Sequence, residues 1–230
     1  MGEGISMRRK ICWLAAAVLC LAGCTGKVPD QSVSGGAAER IVFVELDRMR
    51  LTVYENGREL IHFPIAAGAR DTPTPVGIFR INRRYVTELS GFGTRFMGLN
   101  VPFGDFGIHG TNRPASIGGN FSHGCIRMYV RDAEKLYTLA GWGTKVVIDG
   151  GPYGAFTNGL RTLTPGSRGS DVKEMQLRLI SHSFLSGWPD GVFGENTKQA
   201  VIAAREHFGL PPGDSADWAL LTRLGVMQFE

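Results

Sequence analysis

Near residue 150 the hydrophobic pattern of this sequence changes period, and the two periods demand different elements, since strands repeat every two residues and helices every 3.6. Before that point the apolar residues come in short β-rich runs: IVFVEL (41–46), RLTVYE (50–55), RELIHFPIA (58–66), VGIFRI (76–81), FGIH (106–109) and TKVVID (144–149). Asn56-Gly57 separates the second run from the third, and both residue types tolerate the positive φ that a tight hairpin turn requires. One helical stretch, RDAEKLYTLA (131–140), interrupts the series, with Leu136 and Leu139 on one side. After the change, SDVKEMQLRLI (170–180) places Val172, Met175, Leu179 and Ile180 at i, i+3, i+7 and i+8. Helices also read over 195–210 and 215–225, with Ser170 and Ser215 as N-caps and Gly209 and Gly225 as stops. The pattern predicts a multidomain chain: a β-rich domain over 40–149 carrying one helix, a glycine-rich linker over 150–163, and a small three-helix domain over 164–226.

The first 23 residues follow other rules. Arg8, Arg9 and Lys10 precede the apolar run of residues 11–23, which ends at Cys24. As a helix that run spans about 20 Å, short of the roughly 30 Å core of a bilayer, so it reads as an export signal and not as a membrane span. LAGC (21–24) resembles a bacterial lipobox. That resemblance implies cleavage before Cys24, acylation of Cys24 as a membrane anchor, and a place in the cell envelope. Thr25 follows it in place of an aspartate, which fits outer-membrane sorting in a Gram-negative host. Residues 24–39 are polar and rich in Gly and Ser, and read as the anchor and a flexible tether. The formal charge of +4 falls to +2 once the three basic residues and Glu3 of the signal are removed. No Lys/Arg run is interleaved with aromatics, so nucleic acid is not an expected partner. A mild positive balance suits an anionic wall surface.

The cysteines narrow the chemistry. Cys12 and Cys20 lie in the signal and Cys24 carries lipid, which leaves Cys125 as the single thiol of the exported protein. An unpaired cysteine in an oxidising compartment is a candidate reactive thiol, and its alternative is a small buried hydrophobe. Cys125 sits in SHGCIRM (122–128), two residues after His123; His109 lies sixteen residues upstream at the end of an expected strand. Free thiols are mostly protonated near neutral pH, so a nucleophilic cysteine needs an imidazole to take its proton. Proximity in sequence favours His123 for that task, and the GTNRPASIGGNFS segment (110–122) can fold back to bring His109 within reach. Gly124 allows nearby amides to turn toward a common point, as an oxyanion requires. Two His and one Cys are also zinc-ligand types, but a structural site needs four ligands and no metal-binding spacing is present, so no metal is expected. The pattern reads as a cysteine nucleophile acting on an acyl substrate.

HGTNRPASIGGNFSHGCIRM (109–128), together with RLTVYENG (50–57) and TPTPVGIF (72–79), resembles the YkuD-type L,D-transpeptidase family over residues 40–149. The resemblance implies a β-sandwich-like catalytic fold and a cofactor-free enzyme whose partners are peptidoglycan stem peptides and glycan. Such enzymes cleave a stem tetrapeptide before its terminal D-Ala, hold the acyl group as a thioester and pass it to an amine. Carried over by position, Cys125 is the nucleophile and His109 the base and later the acid, oriented by the carbonyl of Gly110. His123 and Gly124 shape the acyl pocket, and the amides around Gly124 and Cys125 form the oxyanion hole. On the substrate side, Arg127 suits a carboxylate through a bidentate pair, and Ser122 fixes the loop. Thr72–Pro75 is a rigid wall of the cleft. Two other readings stay open here: the same thioester resolved by water, giving a carboxypeptidase or a hydrolase that releases wall-bound protein, and a wall-binding lipoprotein without catalysis.

The C-terminal part resembles a small peptidoglycan-binding domain, through Gly169, Asp171 and Val172, DGVFGENT (190–197), Ala200-Val201 and Gly209-Leu210. It departs from that pattern at Ala204-Arg205, where Phe-Gln is common. Phe193 and Val201 read equally well as builders of a three-helix core, and no binding residue is named there. A module of this kind raises the local concentration of the catalytic site on the wall.

Overall fold

The computed structural model describes residues 38–156 and 159–226. The export signal, Cys24 and nearly all of the expected tether lie outside the described residues.

Ten strands and one α-helix make up the first half. They are β1 (Arg40–Glu45), β2 (Arg50–Glu55), β3 (Arg58–Pro64), β4 (Ala67–Gly68), β5 (Gly77–Ser90), β6 (Gly93–Leu99), β7 (Phe106–Gly110), β8 (Asn120–Ser122), β9 (Ile126–Met128), α1 (Val130–Leu139) and β10 (Lys145–Asp149). Eight of them hydrogen-bond in the order β3-β2-β1-β10-β5-β6-β7-β9, and β4 pairs with β8 beside them. The sheet is mixed, because β1 runs parallel to β10 and β7 parallel to β9 while the other neighbours are antiparallel. The β2–β3 hairpin turns at Asn56 and Gly57, with φ of 51° and 78°, as the Asn-Gly pair demands.

The long strand β5 is the hinge of this architecture. Gly77 to Arg80 pair with β10, and from Ile81 onward β5 pairs with β6. The second half of β5 and all of β6 were not among the expected strands. Their sequence, NRRYVTELSGFGTRFMGL, is broken by charged residues because much of this hairpin faces outward: Tyr85, Val86 and Phe92 are at least half exposed. Alternation still governs the inner face. Met97 on β6, Ile108 on β7 and Ile126 on β9 are paired across the sheet and fully buried, with α1 laid against β6 and β7. The residues between them, Phe96, His109 and Arg127, therefore fall on the opposite face.

The second half is helical, with α2 (Ser170–Ser181), α3 (Glu195–His207) and α4 (Trp218–Arg223). Val172, Met175, Leu179, Val201, Leu220 and Leu221 form its core together with Phe193 from the loop between α2 and α3. The caps differ from expectation. Gly169 precedes α2, so Ser170 is its first helical residue, and Asp217 in place of Ser215 caps α4 by accepting the Leu220 amide at 3.0 Å. Gly209 and Gly225 take positive φ past the ends of α3 and α4. The segment expected as a linker contributes to this core: Leu163 is fully buried and bridged to Ala216, and Phe156 and Leu160 pack against the cluster.

Candidate active site

The face opposite the core carries the site, and register explains its composition. His109 pairs with Phe96 on one side and with Arg127 on the other, so the three side chains form one rung across β6, β7 and β9. Two residues before Arg127, just ahead of β9, is Cys125, whose thiol lies beside the backbone of Gly107 on β7. Gly107 leaves the necessary room, since a Cβ there would meet the Phe96 ring at 2.6 Å and the Met97 carbonyl at 2.8 Å. His109 and Cys125 thus reach the same cavity, of about 510 Å³, whose wall includes Phe92, Phe96, Asp105, His123 and Arg127.

His109 is buried, 3% exposed, between aromatic rings. Phe92 meets its ring edge-on at 5.0 Å between centroids and Phe96 stacks on it at 5.9 Å. Its Nδ1–H donates to the Gly110 carbonyl at 2.5 Å, which leaves Nε2 as the acceptor of the neutral ring. Burial pushes the imidazole below its ordinary pKa, the Gly110 carbonyl works against that, and the Arg127 guanidinium adds to it. Burial pushes the half-buried Cys125 thiol up, opposed by the Gly107 backbone and Arg127. The resting pair is therefore a neutral imidazole beside a protonated thiol, suited to proton transfer during attack.

The loop that carries Cys125 is tied by Ser122. Its hydroxyl donates to the Cys125 carbonyl at 2.6 Å and accepts from the Gly124 amide at 3.0 Å. Ser122 is 2% exposed, so its hydroxyl serves the loop. The Gly124 amide, expected at the oxyanion hole, is engaged by that hydroxyl, whereas the Cys125 amide has no hydrogen-bond partner among the described residues. Gly124 has φ of 107°, and a Cβ on it would stand 2.4 Å from the Phe106 ring, so no other residue fits. His123 is exposed on the cavity wall. The guanidinium of Arg127, half-buried in the cavity, has no hydrogen-bond or ion-pair partner among the described residues. Expectation from sequence missed Phe92, Phe96 and Asp105, because they belong to β6, its turn, or the loop before β7; recognising β6 from the alternation of Phe96 and Met97 was the available signal.

Residues 39–148 match the family model described as the L,D-transpeptidase catalytic domain, YkuD. This chain carries a YkuD-type catalytic domain. Residues 168–214 match a second model, described as a peptidoglycan binding domain. Among individual proteins, one of Bacillus subtilis that bears the name L,D-transpeptidase YkuD is 39% identical over 108 residues, 47% of this chain and 65% of its own length. A Bacillus licheniformis protein of the same name is 40% identical over 107 residues, 46% of this chain and 64% of its own. The chain thus spans a little under two thirds of the length of these relatives. A solved L,D-transpeptidase from Mycobacterium smegmatis aligns at 23% identity and a TM-score of 0.42, covering 49% of this chain and 59% of that one. The YkuD-type domain of this chain includes the whole rung of Phe96, His109 and Arg127 and the Cys125 loop.

Proposed function

We propose that this chain is a cysteine L,D-transpeptidase that acts on peptidoglycan stem peptides in the cell envelope. The observation that carries the reading is the placement of His109 on β7 and of Cys125 immediately before the parallel strand β9, in one cavity, with Nδ1 of His109 engaged by the Gly110 carbonyl and Nε2 left to accept a proton. Attack begins as Nε2 takes the Cys125 proton and the sulfur adds to the acyl carbon of the penultimate residue of a tetrapeptide. The Cys125 amide is the available donor for the oxyanion. Collapse breaks the C–N bond, and the imidazolium returns its proton to the departing D-Ala amine. An acceptor amine then gives a proton to His109, attacks the thioester and releases the thiolate, which is reprotonated by the imidazolium. Arg127 holds a substrate carboxylate through the free guanidinium.

The deciding experiment incubates the protein with a disaccharide-tetrapeptide and a D-amino acid and follows protein and products by mass spectrometry, with Cys125→Ala beside it. An acyl adduct on Cys125 followed by amino-acid exchange is the expected result. Loss of D-Ala without exchange assigns water as the acceptor and a carboxypeptidase in place of a transferase. Absence of adduct and product from folded protein leaves a wall-binding module. We further propose that the helical domain keeps the enzyme on peptidoglycan and that an acylated Cys24 ties it to a membrane.

A further inference from the structure

The loop of residues 69–76, between β4 and β5, touches the nucleophile loop on one side and the helical domain on the other. On the nucleophile side, the Thr72 hydroxyl donates to the Ser122 carbonyl at 3.0 Å, and the Ala69 amide donates to the same oxygen at 2.9 Å. Ser122 in turn holds the Cys125 carbonyl and the Gly124 amide. On the helical side, Arg161 forms a bidentate pair with Asp171, at 2.6 and 3.2 Å, and uses its remaining nitrogen to donate to the Asp71 carbonyl at 3.0 Å. The Asp171 side chain is only 4% exposed, so this guanidinium is held in one orientation. Arg70 donates to the Leu160 carbonyl at 2.9 Å. Ser170, at the start of α2, exchanges two bonds with Val76, accepting from its amide at 2.8 Å and donating to its carbonyl at 3.1 Å.

A second path is made of packing alone. Gly191, in the loop between α2 and α3, lies so close to Phe103 that a Cβ would stand 2.6 Å from its ring. Phe103 meets Phe106 edge-on at 5.8 Å, and the Phe106 ring fills the place of a Gly124 side chain. Both paths end on residues that flank Cys125. A module that merely delivered the enzyme to its substrate would need neither.

We infer that the helical domain braces the nucleophile loop, with Arg161, Ser170 and Gly191 as positioning residues for the reaction at Cys125. The inference rests on the acyl-transfer reading above for its kinetic readout. Small displacements of a reacting group cost rate and leave substrate binding nearly intact, so the brace acts on kcat.

The test uses the full chain with Arg161→Ala, which cuts the brace on the helical side, Thr72→Val, which cuts it on the catalytic side, and the double variant. Exchange kinetics and the rate of Cys125 alkylation by iodoacetamide are measured for each. Each single variant is expected to lower kcat about tenfold, with KM held within about twofold. Alkylation quickens severalfold as the loosened loop admits reagent. Arg161→Lys restores part of kcat, and Gln199→Ala, on the exposed face of α3, changes nothing. Because both cuts lie on one path, the double variant loses no more than the stronger single one. If Arg161→Ala does not fold, Ser170→Ala takes its place in the cycle. Unchanged kcat and alkylation in the folded variants, or losses that multiply in the double variant, overturn the brace. Alkylation that quickens in both variants of a protein showing neither exchange nor D-Ala release overturns the acyl-transfer reading and leaves the brace standing.

Discussion

At the scale of single residues, the site depends on protonation. His109 must be neutral to accept a proton, and burial holds its pKa below the ordinary value of about 6.5. In the proposed mechanism, acidification stops the reaction by protonating that ring, so the acid limb of kcat/KM is expected below that of an exposed imidazole. Cys125 moves the other way. Iodoacetamide reacts with the thiolate, and with the thiol pushed up, the alkylation rate should climb with a midpoint above the ordinary thiol value of about 8.5. A rate already level at neutral pH would mean a preformed thiolate and would sink the neutral-pair assignment. His109→Gln keeps polarity without basicity and should lower kcat by about 10²- to 10⁴-fold, read by exchange assay. Arg127→Ala removes a cavity guanidinium that has no hydrogen-bond or ion-pair partner among the described residues. The loss of a charge-assisted bond of about 1.5–3 kcal/mol should raise KM for the tetrapeptide by roughly ten- to a hundredfold, with kcat less affected.

At the scale of elements, the site is a product of register. Period-two alternation sends Met97, Ile108 and Ile126 to the core and Phe96, His109 and Arg127 to the cavity, so a slip of one residue in β9 would exchange the two sets. Gly107 sits at the tightest point of that arrangement. Gly107→Ala would drive a Cβ into the Phe96 ring and the Met97 carbonyl, displacing the aromatic wall of His109 and the seat of Cys125. Overpacking of this sort costs about 1–3 kcal/mol, to be measured by urea unfolding, and exchange activity should fall with it. Unchanged stability and activity would show that β6 can shift without disturbing the rung. The motif around Cys125 was readable because its spacing is local. The β5–β6 hairpin was hidden, because its outward half is paired by neighbours and not by a buried face of its own.

For the whole molecule, two hydrophobic cores meet through polar contacts, with Val192 of the α2–α3 loop packed onto the catalytic side. A segment whose glycines read as linker instead supplies Leu163 to the second core and Arg161 to the junction. The two cores should therefore unfold together. Trp142 lies in the catalytic half and Trp188 and Trp218 in the helical half, so in protein starting at Thr25, which omits Trp13, fluorescence of Trp142→Phe reports the helical half alone. Its transition in urea is expected to coincide with that of far-UV circular dichroism. Two separated transitions would mean that the junction contributes little.

Taken by itself, the amino-acid order determined the change from strand to helix near residue 150, the Asn56-Gly57 hairpin, the SHGC spacing of His123 and Cys125, and the family resemblance of residues 109–128. Each of these is written in spacing along the chain, where period and turn chemistry act locally. Tertiary structure alone decided the aromatic shell of His109, the capture of the Gly124 amide by Ser122, the place of Arg127 in the cavity and the contact of Arg161 with Asp71. Those depend on which strands become neighbours and in what register, and on groups such as Arg161 and Asp71, 90 residues apart, meeting in space. Such pairings are set by the burial of a common core, which no local pattern records.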